Sequence, residues 1–123
     1  MIINKTKGKL PHLPFIQIKN KILGKKYKLN LIFISDKKIQ ILNNIYRKIN
    51  SPTDILSFSI NKNLGEIFIC KKIAKSEAKK FEMVYENFII FLFIHGSIHL
   101  LNYRHGKKME IEEAKFKNFF KIN

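Results

Sequence analysis

Between Phe88 and Leu101 the chain reads FIIFLFIHGSIHLL, apolar on nearly every helical face and interrupted only by His95, Gly96, Ser97 and His99. A run this short does not cross a bilayer, which takes about 20 apolar residues. A helix that is apolar all round is stable in water only when it is packed on all sides. The run therefore predicts a central buried helix around which the rest of the fold is arranged. The polar residues inside it need a reason, because burying an imidazole without a partner costs roughly 1 to 3 kcal/mol.

The surrounding sequence supplies the packing partners. Leu29 to Ser35 (LNLIFIS) is β-branched and aromatic and predicts a buried strand. Ile41, Leu42, Ile45 and Ile49 recur at helical spacing after a capping Ser35 or Asp36, which predicts an amphipathic helix over 37–48, with Arg47 near its end and Pro52 stopping it. In TDILSFSI, residues 53–60, Ile55, Ser57 and Ser59 alternate with Leu56, Phe58 and Ile60, a half-buried strand with hydroxyls on one face. Asn61 to Gly65 supplies a loop of four or five residues, and EIFIC (66–70) returns as the second strand of an antiparallel hairpin. A helix is expected over 71–81. Another over 110–121 has Ile111, Ala114, Phe116, Phe119 and Phe120 on its inner side, while 15–23 is open between strand and helix. The expected fold class is α+β: a small mixed β-sheet with a β-hairpin, packed against helices, its central buried helix carrying histidines. With 123 residues and 46% hydrophobic content, one domain over residues 1–123 is expected.

The single Cys70 permits no internal disulfide, and the basic N-terminal segment lacks the apolar run of a secretory signal, so a reducing, cytoplasmic setting is expected. Any metal site must then rest on histidines and carboxylates. The formal net charge of +15 has two readings that stand side by side: affinity for nucleic-acid phosphates, or the composition of an A/T-rich genome. All but Arg47 and Arg104 of the 24 basic residues are lysine, which makes the two arginines the more informative cations.

His95 and His99, four residues apart, stack one turn apart on one helix face and can reach one ion. His105 follows six residues later, and it can join them only if the helix ends first. Asn102 stands where such a turn is expected, since asparagine tolerates the left-handed conformation that closes helices. Three imidazoles around a tetrahedral zinc leave one position open, a catalytic arrangement. The spacing matches the zinc-protease pattern H-E-x-x-H-x-x-G-x-x-H, but Gly96 stands where that pattern has its general base, which disfavours peptide hydrolysis. His12, between Pro11 and Pro14, reads as a surface histidine, and Cys70 as a small core residue.

HGSIHLLNYRH, TDILSF and LGEIFIC, in this order, resemble the bacterial YbeY family of zinc-dependent endoribonucleases, whose pattern is H-G-x-L-H-L-x-G-Y-D-H. The resemblance runs from about Leu29 to His105. It implies one zinc ion per chain held by His95, His99 and His105, and it places Arg47, in LNNIYRKINSPTDILSF, on the family's functional arginine. It implies an endoribonuclease that matures the 3′ end of small-subunit ribosomal RNA and serves ribosome quality control, with ribosomal proteins and a GTPase assembly factor as candidate partners and neither membrane nor DNA expected. Arg47 would neutralise charge building on the phosphate, its planar fork suiting two oxygens at once. Three positions depart from the family: Asn102 stands for glycine, Glu66 for aspartate and Arg104 for aspartate. Arg104 either weakens the zinc site or adds a phosphate contact. The rivals are an RNA- or ribosome-binding factor without catalysis, and a zinc hydrolase of another substrate class, against which stand Gly96 in place of a glutamate and the absence from this sequence of the H-x-E and P-C-x-x-C motifs of deaminases.

Overall fold

Alternating branched side chains make β2 (Lys28–Phe33) a strand buried on both faces, and it forms the middle of a four-stranded sheet with β1 (Ile2–Asn4), β3 (Ile55–Asn61) and β4 (Leu64–Ile69) in the order β1-β2-β4-β3. β1 and β4 pair parallel to β2, and β3 pairs antiparallel to β4, so the sheet is mixed, as expected. The computed structural model describes residues 1–101 and 107–119. Among the described residues there are five helices, α1 (Phe15–Leu23), α2 (Asp36–Arg47), α3 (Lys71–Lys80), α4 (Tyr85–Leu100) and α5 (Lys107–Phe119), with α4 on β3 and β4 and with α1, α3 and α5 packed against α4.

The period-2 alternation of β2 divides the core in two. Leu29, Leu31 and Phe33 join Ile67 and Ile69 against α1, α3 and α4. Ile32 and Ile34 face the other way and join Leu56, Cys70 and Ile39 of α2. Cys70 is completely buried, and burial pushes its thiol up from the ordinary value, as suits an inert core residue. α4 is the central helix: Phe88, Ile89, Phe93, Ile94 and Ile98 are each at most 1% exposed. α3 and α4 meet at 107°, and among the described residues no single helix is long and apolar enough to cross a membrane.

Several local expectations are corrected. The hairpin turns on Lys62 and Asn63 alone rather than on a longer loop, because a register shift between Ser59 and Asn61 takes up the extra residue. The hydroxyl face of β3 is partly buried: Ile55 packs into the α4 side of the core and Ser59 is exposed, while Leu56 and Phe58 pack on the α2 side. The ambiguous segment 15–23 is helical, burying Phe15, Ile18 and Ile22. On α5, Phe116 is buried as expected, but Ile111 is 57% exposed and Ala114 is also exposed, so the helix presents a different face from the apolar one. Phe120 lies outside the described residues.

Candidate active site

α4 crosses the sheet at Gly96. An ideal Cβ there would lie 2.7 Å from Ser57 Oγ, 2.9 Å from Ile55 Cδ1 and 3.2 Å from Ile67 Cδ1, closer than packed atoms tolerate. The helix backbone can rest on β3 only because position 96 has no side chain. The same contact explains why the general base of the zinc proteases is missing: no glutamate fits at position 96.

With Gly96 pressed on the strand, the next helical positions around the axis emerge at the edge of the sheet. Between 91 and 100 every residue of α4 is buried except Phe91, His95 and His99, a stripe at i, i+4 and i+8. His95 and His99 line a cleft of about 560 Å³ together with Ser57 of β3, Asp54 in the loop before it, and Tyr46 and Arg47 at the end of α2. Three elements far apart in sequence thus meet at one opening.

Arg47 is held there by the way α2 ends. Ser35 accepts from the Lys38 amide at the start of the helix, and at its end Lys48 takes the left-handed conformation (φ 58°), its amide bonding Asn44 O at 3.1 Å. Buried Asn43 donates through Nδ2 to Ser51 O at 2.9 Å, and Gln40 donates to Asn50 Oδ1 at 3.1 Å, tying the following loop back onto the helix. Arg47 itself is exposed, and Tyr46 packs on Phe58 with ring centroids 4.8 Å apart.

His95 Nδ1 meets the Glu113 carboxylate of α5. Asp54, which the sequence reading left out of the site, has its carboxyl raised above the ordinary range, first by burial and then by the negative charge of Glu77. Its position in TDILSF, directly before the strand that carries Ser57, was the available signal. Ser57 lines the cleft, whereas Ser59 is exposed away from it and Glu66 lines the opposite, α2-side hollow. His12 is an exposed loop residue. His105, Asn102 and Arg104 lie outside the described residues, and among the described residues no group of three ligand-type side chains gathers. The donors at hand fit a zinc ion: two imidazoles one turn apart on one cleft wall, one with its other nitrogen on a carboxylate, the usual outer partner of a ligating histidine. A second cleft, about 350 Å³ between α1 and β2, is lined by Phe15, Ile16, Tyr27 and Phe93 and holds neither histidine nor carboxylate, so it offers no comparable chemistry.

A mixed sheet under a buried helix, with a histidine pair and an arginine lining one cleft, defines a small α+β protein. The family model for endoribonuclease YbeY matches residues 10–119. An endoribonuclease YbeY of Thermosipho melanesiensis is 34% identical over 108 residues, covering 80% of this chain and 78% of the relative. That of Aster yellows witches'-broom phytoplasma is 37% identical over 107 residues, covering 80% and 70%. A solution structure of a Thermotoga maritima protein superimposes with a TM-score of 0.64 at 26% identity, over 94% of this chain and 84% of that one. The chain belongs to the endoribonuclease YbeY family.

Proposed function

We propose that this chain is a zinc-dependent endoribonuclease that cuts single-stranded RNA, acting as one domain over residues 1–123 in the cytoplasm. Its role would be the maturation of the 3′ end of small-subunit ribosomal RNA and ribosome quality control, alongside ribosomal proteins and a GTPase assembly factor. The observation that carries the proposal is the single cleft lined by Arg47, Ser57, His95 and His99 in a chain of this family.

His95, His99 and His105 would hold one zinc ion, which would supply Lewis-acid chemistry toward the RNA phosphate. Arg47, fixed by the tied end of α2, grips phosphate oxygens and neutralises the charge that develops on them. It is permanently protonated, so it is an electrostatic group and not a base. Position 96 offers no base either, so the proton of the attacking group leaves by a route other than the one zinc proteases use. The lysine-rich surface, with a formal net charge of +15, attracts the RNA backbone without reading its sequence.

The test is cleavage of a short single-stranded RNA by the purified protein. Activity is expected to vanish with a chelator and return with zinc. Arg47→Ala is expected to lower kcat by roughly 10²- to 10³-fold, the usual cost of removing one preorganised donor. Arg47→Lys is not expected to restore it, because an ammonium cannot form the bidentate grip. The same charge also suits a ribosome-binding factor without catalysis. RNA binding that persists in His99→Ala, with no cleavage by the wild type, would establish that reading instead.

A further inference from the structure

α5 is turned the wrong way for a helix that only fills a core. Its Ile111 is 57% exposed, while the Glu113 side chain is only 14% exposed. Burying a carboxylate in place of an available isoleucine is unfavourable unless the carboxylate is satisfied by a partner. That partner is His95, whose side chain is 29% exposed and whose Nδ1 meets a Glu113 carboxylate oxygen. The placement is built from both sides. Phe116, one turn along α5, is buried in the main core, and Lys117 lies over the Phe91 ring at 4.9 Å, one turn along α4 from His95.

We propose that Glu113 is a positioning residue for the metal site, a proposal that rests on the zinc reading above. A carboxylate accepts but does not donate, so a neutral His95 bonded to it must carry its proton on Nδ1. That tautomer places the imidazole lone pair on Nε2, the nitrogen that would take a metal ion, and the carboxylate fixes the ring plane. α5 therefore contributes to the site although none of its residues is among the expected ligands.

The test uses the full-length protein with zinc as the probe. In the metal-free wild type, long-range ¹H–¹⁵N spectra taken above the ordinary imidazole pH range should show His95 protonated on Nδ1. A His95 proton on Nε2 would overturn the proposal without any variant being made. Zinc affinity, by competition with a chelator, should fall roughly 10- to 100-fold in Glu113→Ala, as for other outer partners of ligating histidines. It should fall less in Glu113→Gln, which keeps an acceptor oxygen but not the charge. Glu112→Ala, the neighbouring control, should bind zinc like the wild type. If Glu113→Ala and Glu113→Gln both bind zinc with wild-type affinity, Glu113 is a helix clamp and the proposal fails while the zinc site stands. If the wild type binds no zinc, the zinc reading itself fails, and the two failures are distinguishable.

Discussion

The two halves of α4 do opposite things with the same environment. From Phe88 to Ile94 the helix is a pure packing element: Phe93 is 1% exposed and meets Phe15 edge-on at 5.1 Å. From His95 to Leu100 it keeps the burial but gives up side-chain volume at Gly96, and that loss lets the helix sink onto β3 until its histidines lie at the sheet edge. The first half contributes stability and no chemistry. The second brings the histidine pair to the cleft through close approach, at the cost of a buried Ser97 hydroxyl with no partner among the described residues.

Phe93→Ala probes the first half alone. It is expected to lower stability by about 3 to 5 kcal/mol, read as a shift in the denaturant midpoint, because the cavity cannot collapse. Zinc uptake of the protein that remains folded should be unchanged. A loss of zinc binding out of proportion to unfolding would show that the halves are not separable.

Gly96→Ala probes the second half. The methyl collides with Ser57 Oγ and with Ile55, and an overpacked contact costs about 1 to 3 kcal/mol. Because relief requires α4 to lift from β3, this variant should lose cleavage activity beyond its loss of stability. Full activity per folded molecule would mean that the depth of α4 is not what sets the site.

Asp54→Asn is the mildest. Burial and Glu77 raise the Asp54 carboxyl, so the folded chain retains a proton that the unfolded chain has already released. The residue's contribution to stability is therefore present at acid pH and is lost as pH rises from the ordinary carboxylate range through the folded value. The amide should raise Tm modestly at pH 7, with a gain that shrinks toward zero at about pH 3, below the ordinary aspartate value. A Tm lowered at pH 7 would show that the carboxylate is held by a partner stronger than its desolvation.

The same contrast explains what was legible in the sequence. α4 and β2 were readable because their burial is carried by continuous apolar runs; α2 was readable as a helix from the spacing of Ile41, Leu42 and Ile45 after a capping serine, but not in its buried face, since Ile41, Ile45 and Ile49 are exposed and Ile39 and Asn43 are buried. β1 was missed: three residues in a lysine-rich segment carry no periodicity, and their strand conformation comes from pairing with β2. That His95 and His99 share a helix face was readable from their i, i+4 spacing, and the resemblance to the family singled out Arg47; the structure brings all three to one cleft. Glu113 was not readable. The apolar pattern of α5 correctly points to Phe116 but also to the exposed Ile111 and Ala114, and the contact between Glu113 and His95 is a tertiary one that no local pattern in the chain records.

Whether His95 and His99 hold a metal ion in this cleft is tested most directly by elemental analysis of the purified wild type beside His99→Ala. About one zinc per wild-type chain, lost in the variant, is the expected result. Equal metal content in the two proteins, or none in the wild type, would contradict it.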